Sequence, residues 1–286
     1  MGYLVAASLS EALEALGKGN AAVVAGGTDW FPAQGIRPLK GDLVDITRVP
    51  GLRGITHDST GWRIGGATTW TDVIRADLPP AFDGLKAAAR EVGSIQIQNA
   101  GTIAGNLCNA SPAADGVPPL LTLGAVVELV STHGTRRMPL STFLKGPRQT
   151  ARMPGEVLTA LLLPDLPASA QGAFLKLGAR HYLVISIAMV AALVTVEDGR
   201  IAQAALAVGS CSATAQRLPA LEAELTGRNA AEILAAGPAL ITDAHLAPLS
   251  PIADMRGSAE YRTEAAATLC ARALAQALTQ GKPSNG

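Results

Sequence analysis

An excess of charge of either sign is absent from this chain of 286 residues, which has 23 Lys and Arg against 23 Asp and Glu. A nucleic-acid-binding protein needs a basic face, and no run of Lys and Arg interleaved with aromatic residues occurs here. Charged residues make up only 16% of the chain, whereas hydrophobic residues reach 48%, which is not the composition of a disordered protein. We therefore predict one large or two ordinary folded domains that do not bind nucleic acid.

Cysteine is scarce, and its spacing excludes the common metal centres. The cysteines are too far apart for a CxxC pair, and the histidines lack the i, i+4 spacing of a helical metal site. We therefore expect this chain to hold no iron–sulfur cluster, zinc or other metal by itself. The odd number of widely spaced cysteines is typical of a reducing compartment, so we expect a cytoplasmic protein. The cysteines are Cys108, Cys211 and Cys270, and the histidines are His57, His133, His181 and His245.

A hydrophobic run long enough to cross a bilayer is also missing. The longest uncharged apolar stretch, residues 182–196, is shorter than the roughly 20 residues of a membrane span. It is rich in Val and Ile and ends at Glu197-Asp198-Gly199, which predicts a buried strand that enters a hairpin turn. Near the N-terminus, Ser8 and Glu11 have the spacing of a capping box, which predicts a helix there rather than a secretory signal. We expect no membrane span.

Short apolar segments predict small α and β units in the first half and a sheet covered by helices in the second. Residues 164–170 have the composition of a linker, so we place the main boundary there. The expected elements are strands at 21–24, 125–130, 157–163, 185–196 and 201–208, and helices at 81–92, 216–226, 229–236 and 258–280.

Two glycine turns are the strongest candidates for a ligand site. In the first, Ala25-Gly26-Gly27-Thr28-Asp29, glycine permits a positive φ and a close backbone approach, so that successive N–H groups can face an anion. A helix expected after Asp29, together with the Thr28 hydroxyl, suits a pyrophosphate. The same residues also fit an ordinary tight turn in which Asp29 caps the helix and points away.

The second turn, Gly101-Thr102-Ile103-Ala104-Gly105-Asn106, has two glycines, a hydroxyl and an amide but no charge. Neutral groups of this kind suit a ligand that is held mainly by the backbone. The alternative is a structural loop whose polar side chains bond to their own main chain. Neither turn has the GxGxxG pattern of a Rossmann site or the Gly-Lys-Ser/Thr of a P-loop.

Five motifs occur in the order, and at about the spacing, of the FAD-binding medium subunits of molybdenum hydroxylases. The sequence resembles this family, which includes xanthine, carbon monoxide, and aldehyde or N-heterocycle dehydrogenase complexes, over nearly its whole length. The resemblance extends into the second half of the chain at Lys176, Arg180 and Tyr261-Arg262. The motifs are Ala25-Gly-Gly-Thr-Asp29, Ile64-Gly-Gly-Ala-Thr-Thr69, Gln98-Asn-Ala-Gly-Thr-Ile-Ala-Gly-Asn106, Ser111-Pro-Ala-Ala-Asp115 and Gly155-Glu-Val-Leu158.

The resemblance implies an α+β fold with two domains. A vanillyl-alcohol-oxidase (PCMH) type FAD-binding domain would cover residues 1–166, in two small α+β subdomains at about 1–52 and 53–166. A C-terminal domain, predicted as an antiparallel sheet covered by helices, would cover residues 171–286.

The resemblance also implies which residues bind FAD. The 25–29 turn and the turn residues Thr102, Ala104, Gly105 and Asn106 would hold the pyrophosphate between them. Asp115 would bind sugar hydroxyls, and the backbone at Val157 and Leu158 would bond the isoalloxazine or adenine edge. Lys176 would lie near the flavin, where a cation stabilises the charge that develops on reduction.

Asp115 and Lys176 each fit a second role, and the second turn departs from the family pattern at two positions. On sequence alone, Asp115 also fits a helix cap or turn, and Lys176 also fits a solvated strand end. Many relatives have Arg at the place of Gln98 and Gly at the place of Ala104. Compared with those relatives, this chain has one positive charge fewer near the diphosphate, so we expect FAD binding to depend more on backbone donors.

The function that the resemblance implies is electron transfer. A large partner subunit would hold molybdenum-pterin, a small partner subunit would hold [2Fe–2S] clusters, and this chain's FAD would pass electrons to NAD, quinone or another acceptor. We expect a dimer of heterotrimers and assign no catalytic side chain here. Two alternatives stay open: a stand-alone FAD-dependent oxidoreductase acting on a small organic substrate, and a structural or ligand-storage subunit whose glycine turns are only turns.

Overall fold

The computed structural model describes residues 2–36, 38 and 40–280, whose contacts divide them into two compact units. The first unit comprises the described residues of Met1–Ala76, Gly93–Ser111 and Ala125–Asp165. The second comprises those of Asp77–Val92, Pro112–Gly124 and Leu166–Gly286. Two segments from the first half of the chain therefore pack within the second unit. The division into sequence domains at residues 166–171 stays a prediction, because these units are defined by contacts and not by chain order.

Helices and strands are numbered in chain order. The helices are α1 Leu9–Gly17, α2 Trp30–Gln34, α3 Trp70–Arg75, α4 Asp83–Glu91, α5 Ile95–Ala100, α6 Ile103–Asn109, α7 Val117–Thr122, α8 Leu140–Phe143, α9 Pro219–Leu225, α10 Ala230–Ala236, α11 Asp243–Leu246 and α12 Ala259–Gln280, with 3₁₀ turns at Pro80–Phe82 and Gly237–Leu240. The strands are β1 Tyr3–Val5, β2 Ala21–Val24, β3 Asp42–Asp45, β4 Ile55–Asp58, β5 Gly61–Gly65, β6 Val126–Ser131, β7 Gly134–Pro139, β8 Leu144–Gly146, β9 Gln149–Thr150, β10 Val157–Leu163, β11 Ala170–Leu177, β12 Ala188–Glu197, β13 Arg200–Gly209 and β14 Gln216–Arg217.

The first unit contains a small parallel sheet and a larger antiparallel sheet. The parallel sheet has the order β1–β3–β2, and the antiparallel sheet has the order β4–β5–β10–β6–β7. Helix α1 starts at the predicted cap, where the Ser8 side chain accepts from the Glu11 N–H, and it buries Ala12, Leu13 and Leu16. One core joins these side chains to Val157 of β10. The first glycine turn therefore follows β2 at a position where the two sheets share a core.

The second unit is a four-stranded antiparallel sheet, in the order β11–β12–β13–β14, with a large apolar core that includes residues of α12. The predicted hairpin is present, with Asp198 and Gly199 at positive φ between β12 and β13. The α+β class and the antiparallel, helix-covered second half are therefore confirmed. Cys211 and Cys270 are buried free thiols.

One strand is shorter than the sequence predicts. The apolar stretch at 182–196 is not a single buried strand, because Tyr182, Leu183 and Ile185 are exposed in the loop before β12. The register explains the difference: β12 pairs with β11 only from Ala188, opposite Leu177, the last residue of β11. Among the helices of the described residues, none is long and apolar enough to cross a membrane.

Candidate functional site

The first glycine turn joins the end of β2 to α2 and touches the second turn directly. Gly27 has a φ of +67°, as a tight turn requires, whereas Gly26 has a negative φ. A Cβ at Gly26 would overlap the carbonyl oxygen of Ala100, and a Cβ at Gly101 would lie 3.3 Å from Oγ1 of Thr28. Gly26 therefore allows the two turns to approach each other, which is a different requirement from the close ligand approach that the sequence suggested.

The backbone of the first turn offers unused hydrogen-bond donors. The N–H groups of Gly26, Gly27 and Thr28 donate to no other residue within the described part of the chain. The carbonyls of Gly27 and Asp29 are used, since they accept from the Phe31 and Ala33 N–H groups of α2. Successive free N–H groups in a turn form a concave site for an anion. Asp29 occupies the N-cap position, but its exposed side chain makes no cap hydrogen bond, so the predicted cap is wrong.

The second turn differs, because the N–H groups of residues 103–106 already donate within the protein. Thr102 is the N-cap of α6, and its Oγ1 accepts from the Gly105 N–H at 3.1 Å. The N–H groups of Ile103 and Ala104 donate to the carbonyls of Thr68 and Gly66, at 2.9 and 3.1 Å. The backbone donors expected here for a ligand therefore tie α6 to the end of β5. The polar groups left to the turn are side chains, including Oδ1 of Asn106, which is buried and has no partner among the described residues.

Ala104 fits its position without strain. It lies in the first turn of α6 and is not among the described residues with positive φ, so it has no need of glycine. A Cβ at Gly66 would overlap the Leu158 carbonyl and would lie 3.2 Å from the Ala104 Cβ. Gly66, which sequence reasoning did not assign to the site, is therefore the residue that lets β5, α6 and β10 meet.

A pocket of about 100 Å³ lies where these segments converge. It brings together the predicted residues Ala25, Ala104, Gly105 and Leu158, from three distant parts of the chain. Burial raises the pKa of the Cys108 thiol in its wall to about 11, so this thiol behaves as a small apolar group. The full lining is Val23, Ala25, Ile46, Ala104, Gly105, Cys108, Arg152, Glu156, Val157 and Leu158.

The pocket has two charged residues, which the sequence did not single out. Both carboxylate oxygens of Glu156 accept from Arg136, at 2.5 and 2.8 Å, and this pairing holds the pKa of Glu156 below its usual value. Arg152 donates to the backbone carbonyl of Glu156 at 2.9 Å and forms no salt bridge with another described residue. Because Arg136 neutralises Glu156, Arg152 leaves the pocket with a positive charge. The sequence signal for Arg152 is its position three residues before the start of the Gly155-Glu156-Val157-Leu158 motif.

Asp115 and Lys176 meet inside the second unit. Nζ of Lys176 lies 2.7 Å from Oδ2 of Asp115, and the two side chains are 6% and 9% exposed. Ser186 Oγ donates to Oδ1 of Asp115 at 2.7 Å, and Lys176 also donates to the Glu91 carbonyl at 3.4 Å. Lys176 is therefore no solvated strand end. Asp115 is no helix cap either, because the N-cap of α7 is Gly116. Burial raises the pKa of Asp115, and Lys176 opposes this shift.

A second pocket, of about 350 Å³, lies beside Lys176 within the same unit. Its polar lining residues are Glu91, Lys176, Arg180 and His181, and the rest of its lining is largely apolar. Of the predicted site residues, the first unit therefore gathers the two glycine turns and Leu158, and the second unit pairs Asp115 with Lys176.

Comparisons with known proteins agree with this architecture. Residues 1–166 match the family described as the FAD binding domain in molybdopterin dehydrogenase, and residues 173–277 match the CO dehydrogenase flavoprotein C-terminal domain. The fold and site thus define an FAD-binding α+β protein of the PCMH type with an additional C-terminal domain.

Similarity to individual relatives shows to which family within this class the chain belongs. The chain is 33% identical to the 6-hydroxypseudooxynicotine dehydrogenase complex subunit alpha of Paenarthrobacter nicotinovorans, over 99% of this chain and 96% of the relative. It is 32% identical to a putative xanthine dehydrogenase FAD-binding subunit of Escherichia coli, over 96% and 95% of the two chains. It superimposes on a chain of reconstituted CO dehydrogenase from Oligotropha carboxidovorans with a TM-score of 0.89 and 29% identity, covering 97% of each chain. The protein belongs to the family of FAD-binding medium subunits of molybdenum hydroxylases, as its motifs predicted.

Proposed function

We propose that this chain takes electrons from iron–sulfur clusters of a partner subunit and passes them, through bound FAD, to NAD, quinone or another acceptor. The observation that carries the proposal is the first glycine turn. Three of its N–H groups have no partner among the described residues, and they follow directly after Ala25, which lines a pocket together with Gly105 and Leu158. Donors that find no acceptor in the described part of the chain, next to a pocket formed by distant segments, suit a nucleotide diphosphate.

In this proposal the two turns bind the diphosphate in different ways. The N–H groups of Gly26, Gly27 and Thr28 donate to phosphate oxygens, while Thr102 and Asn106 of the second turn contribute through their side chains. Exposed Asp29 stays out of contact with the phosphates, because a carboxylate there would repel them. Arg152 supplies the positive charge that Gln98 lacks, since a guanidinium is a strong partner for phosphate.

The nucleotide ring systems would be held by the remaining predicted residues. The backbone at Leu158 bonds one ring edge beside the pocket of the first unit. Asp115 accepts from a sugar hydroxyl in addition to its internal partners, because each carboxylate oxygen has two lone pairs. Lys176 places a cation near the flavin. When bound, FAD supplies electron-transfer chemistry that side chains lack, and this chain supplies position and electrostatics.

The partners follow from the family. Relatives are named as subunits or medium chains of dehydrogenase complexes. We therefore propose a small iron–sulfur subunit and a large molybdenum-pterin subunit as partners, in a dimer of heterotrimers in the cytoplasm. Three cysteines, all free thiols, leave this chain without a set of cluster ligands of its own.

Purification of the full chain with its co-expressed partners tests the proposal. We expect a yellow protein that releases one FAD per chain on denaturation, together with two further subunits identified by mass spectrometry. Reoxidation of the reduced complex by NAD or by a quinone then identifies the acceptor. A colourless preparation would overturn the FAD assignment, whereas a yellow single chain that oxidises a small organic substrate by itself would favour the stand-alone enzyme.

A further inference from the structure

Ser186 is the buried end of an otherwise exposed loop in the second unit. Residues 179–183 and Ile185 of this loop are exposed, whereas Ser186 is only 2% exposed. The backbone beside it is anchored, since the Ile187 N–H donates to the Leu177 carbonyl at 2.7 Å. Its hydroxyl has one proton to donate, and that proton is directed at Oδ1 of Asp115.

The Asp115 carboxylate divides its hydrogen bonds between two donors. Ser186 occupies Oδ1 and the Lys176 ammonium occupies Oδ2, each over 2.7 Å. Glu91 is the nearby like charge, and together with burial it raises the pKa of Asp115, whereas Lys176 and Ser186 lower it. A hydroxyl that donates to a carboxylate stabilises its ionised form and takes up part of its negative charge.

Loss of the Ser186 hydroxyl would change how Lys176 is held. The ammonium would then be the main remaining donor to Asp115 and would be drawn more strongly toward it. Less of its positive charge would be available to any anionic group that develops nearby. This effect reaches Lys176 through Asp115, because no hydrogen bond between Ser186 and Lys176 occurs in the described structure.

We propose that Ser186 is a positioning residue that shares the Asp115 carboxylate with Lys176, and so keeps the Lys176 cation available to the flavin. The proposal rests on the proposed function for the flavin, but the hydrogen-bond relay itself lies within this chain. Ser186 has no contact with the cofactor in this role, which it performs entirely through its neighbour.

The test compares Ser186→Ala with Ser210→Ala in the purified complex. Ser210 is a matched control because it is buried in the same unit and its hydroxyl has no partner among the described residues. We expect Ser186→Ala to keep FAD but to bind reduced FAD about tenfold less tightly relative to oxidised FAD, which is about 1.4 kcal/mol. Redox titration would record this as a more negative potential, with Ser210→Ala unchanged. The shift should disappear when both proteins carry Asp115→Asn, because the relay then lacks its carboxylate.

A second readout needs no flavin. Ser186→Ala should destabilise the protein at neutral pH, and the difference from the unsubstituted protein should shrink on acidification as Asp115 takes up a proton. An unchanged potential in Ser186→Ala, an equal shift in the Asp115→Asn background, or a stability difference independent of pH would each overturn the proposal. A protein without FAD would instead contradict the proposed function, while the pH profile still decides the role of Ser186.

Discussion

The Nζ atom of Lys176 lies 2.7 Å from Oδ2 of Asp115, 61 residues earlier in the chain, and both side chains are buried. The cation predicted to act on the flavin is therefore part of an internal ion pair. Substitutions at either residue must change the stability of the protein as well as the properties of a bound cofactor, because each leaves the other charge buried without its partner.

Lys176→Met should therefore destabilise the fold by about 3–5 kcal/mol, the usual cost of removing one partner of a buried pair. Chemical denaturation measures this loss. Lys145→Met, at an exposed lysine, should change stability by less than about 0.5 kcal/mol. The double variant Lys176→Met with Asp115→Asn should recover part of the loss, because no unpaired charge remains. A Lys176→Met protein as stable as the unsubstituted one would show that the pair does not form.

Gly26→Ala should destabilise the first unit by about 1–3 kcal/mol, because the added Cβ overlaps the Ala100 carbonyl and forces the two turns apart. Gly17→Ala provides the contrast, since a Cβ there meets nothing within 4 Å and the helical site should gain up to about 1 kcal/mol. Thermal unfolding of both variants compares the effects. Full stability of Gly26→Ala would contradict the close approach of Gly26 to the Ala100 carbonyl.

Arg152→Gln should lower FAD affinity by about tenfold, which corresponds to the loss of one charge-assisted hydrogen bond. The affinity should also depend less on salt, and Arg152→Lys should retain most of the binding. Fluorescence titration of the flavin-depleted protein at two ionic strengths measures both properties. Arg53→Gln serves as control, because this exposed arginine pairs with Asp72 on the first unit and does not line the pocket. Equal losses in the Gln and Lys variants would contradict a role for the charge.

The pH dependence of stability should include a contribution from Glu156. Its pKa is lowered from 4.5, chiefly by the hydrogen bonds from Arg136, so the ionised form is favoured in the folded state. The stabilisation is fully present above pH 4.5 and is lost as the pH falls through the lower, folded-state pKa. Glu156→Gln should therefore remove part of the decline in unfolding free energy below that pH, whereas Glu232→Gln, at an exposed helix position, should not. Parallel pH profiles for Glu156→Gln and the unsubstituted protein would refute the assignment.

The local elements could be predicted from the sequence because short-range interactions determine them. The Ser8 cap, the turn at Asp198 and Gly199, and β10 at residues 157–163 agree with their patterns, since each depends on residues within a few positions of one another. The same patterns failed where partners are distant. They could not show that the strand at 182–196 begins only at Ala188, because the end of β11 decides that boundary.

The same distinction between local patterns and distant contacts applies to the site residues. The sequence by itself determined which segments carry glycine turns and the family to which their order belongs, since both are properties of residue identity and spacing. Only the tertiary structure decided that Ala25 and Gly105 line one pocket, that the Ile103 and Ala104 N–H groups donate to carbonyls just after β5, and that Lys176 pairs with Asp115. These contacts depend on how the packed core closes loops of many residues, and no local pattern encodes that closure.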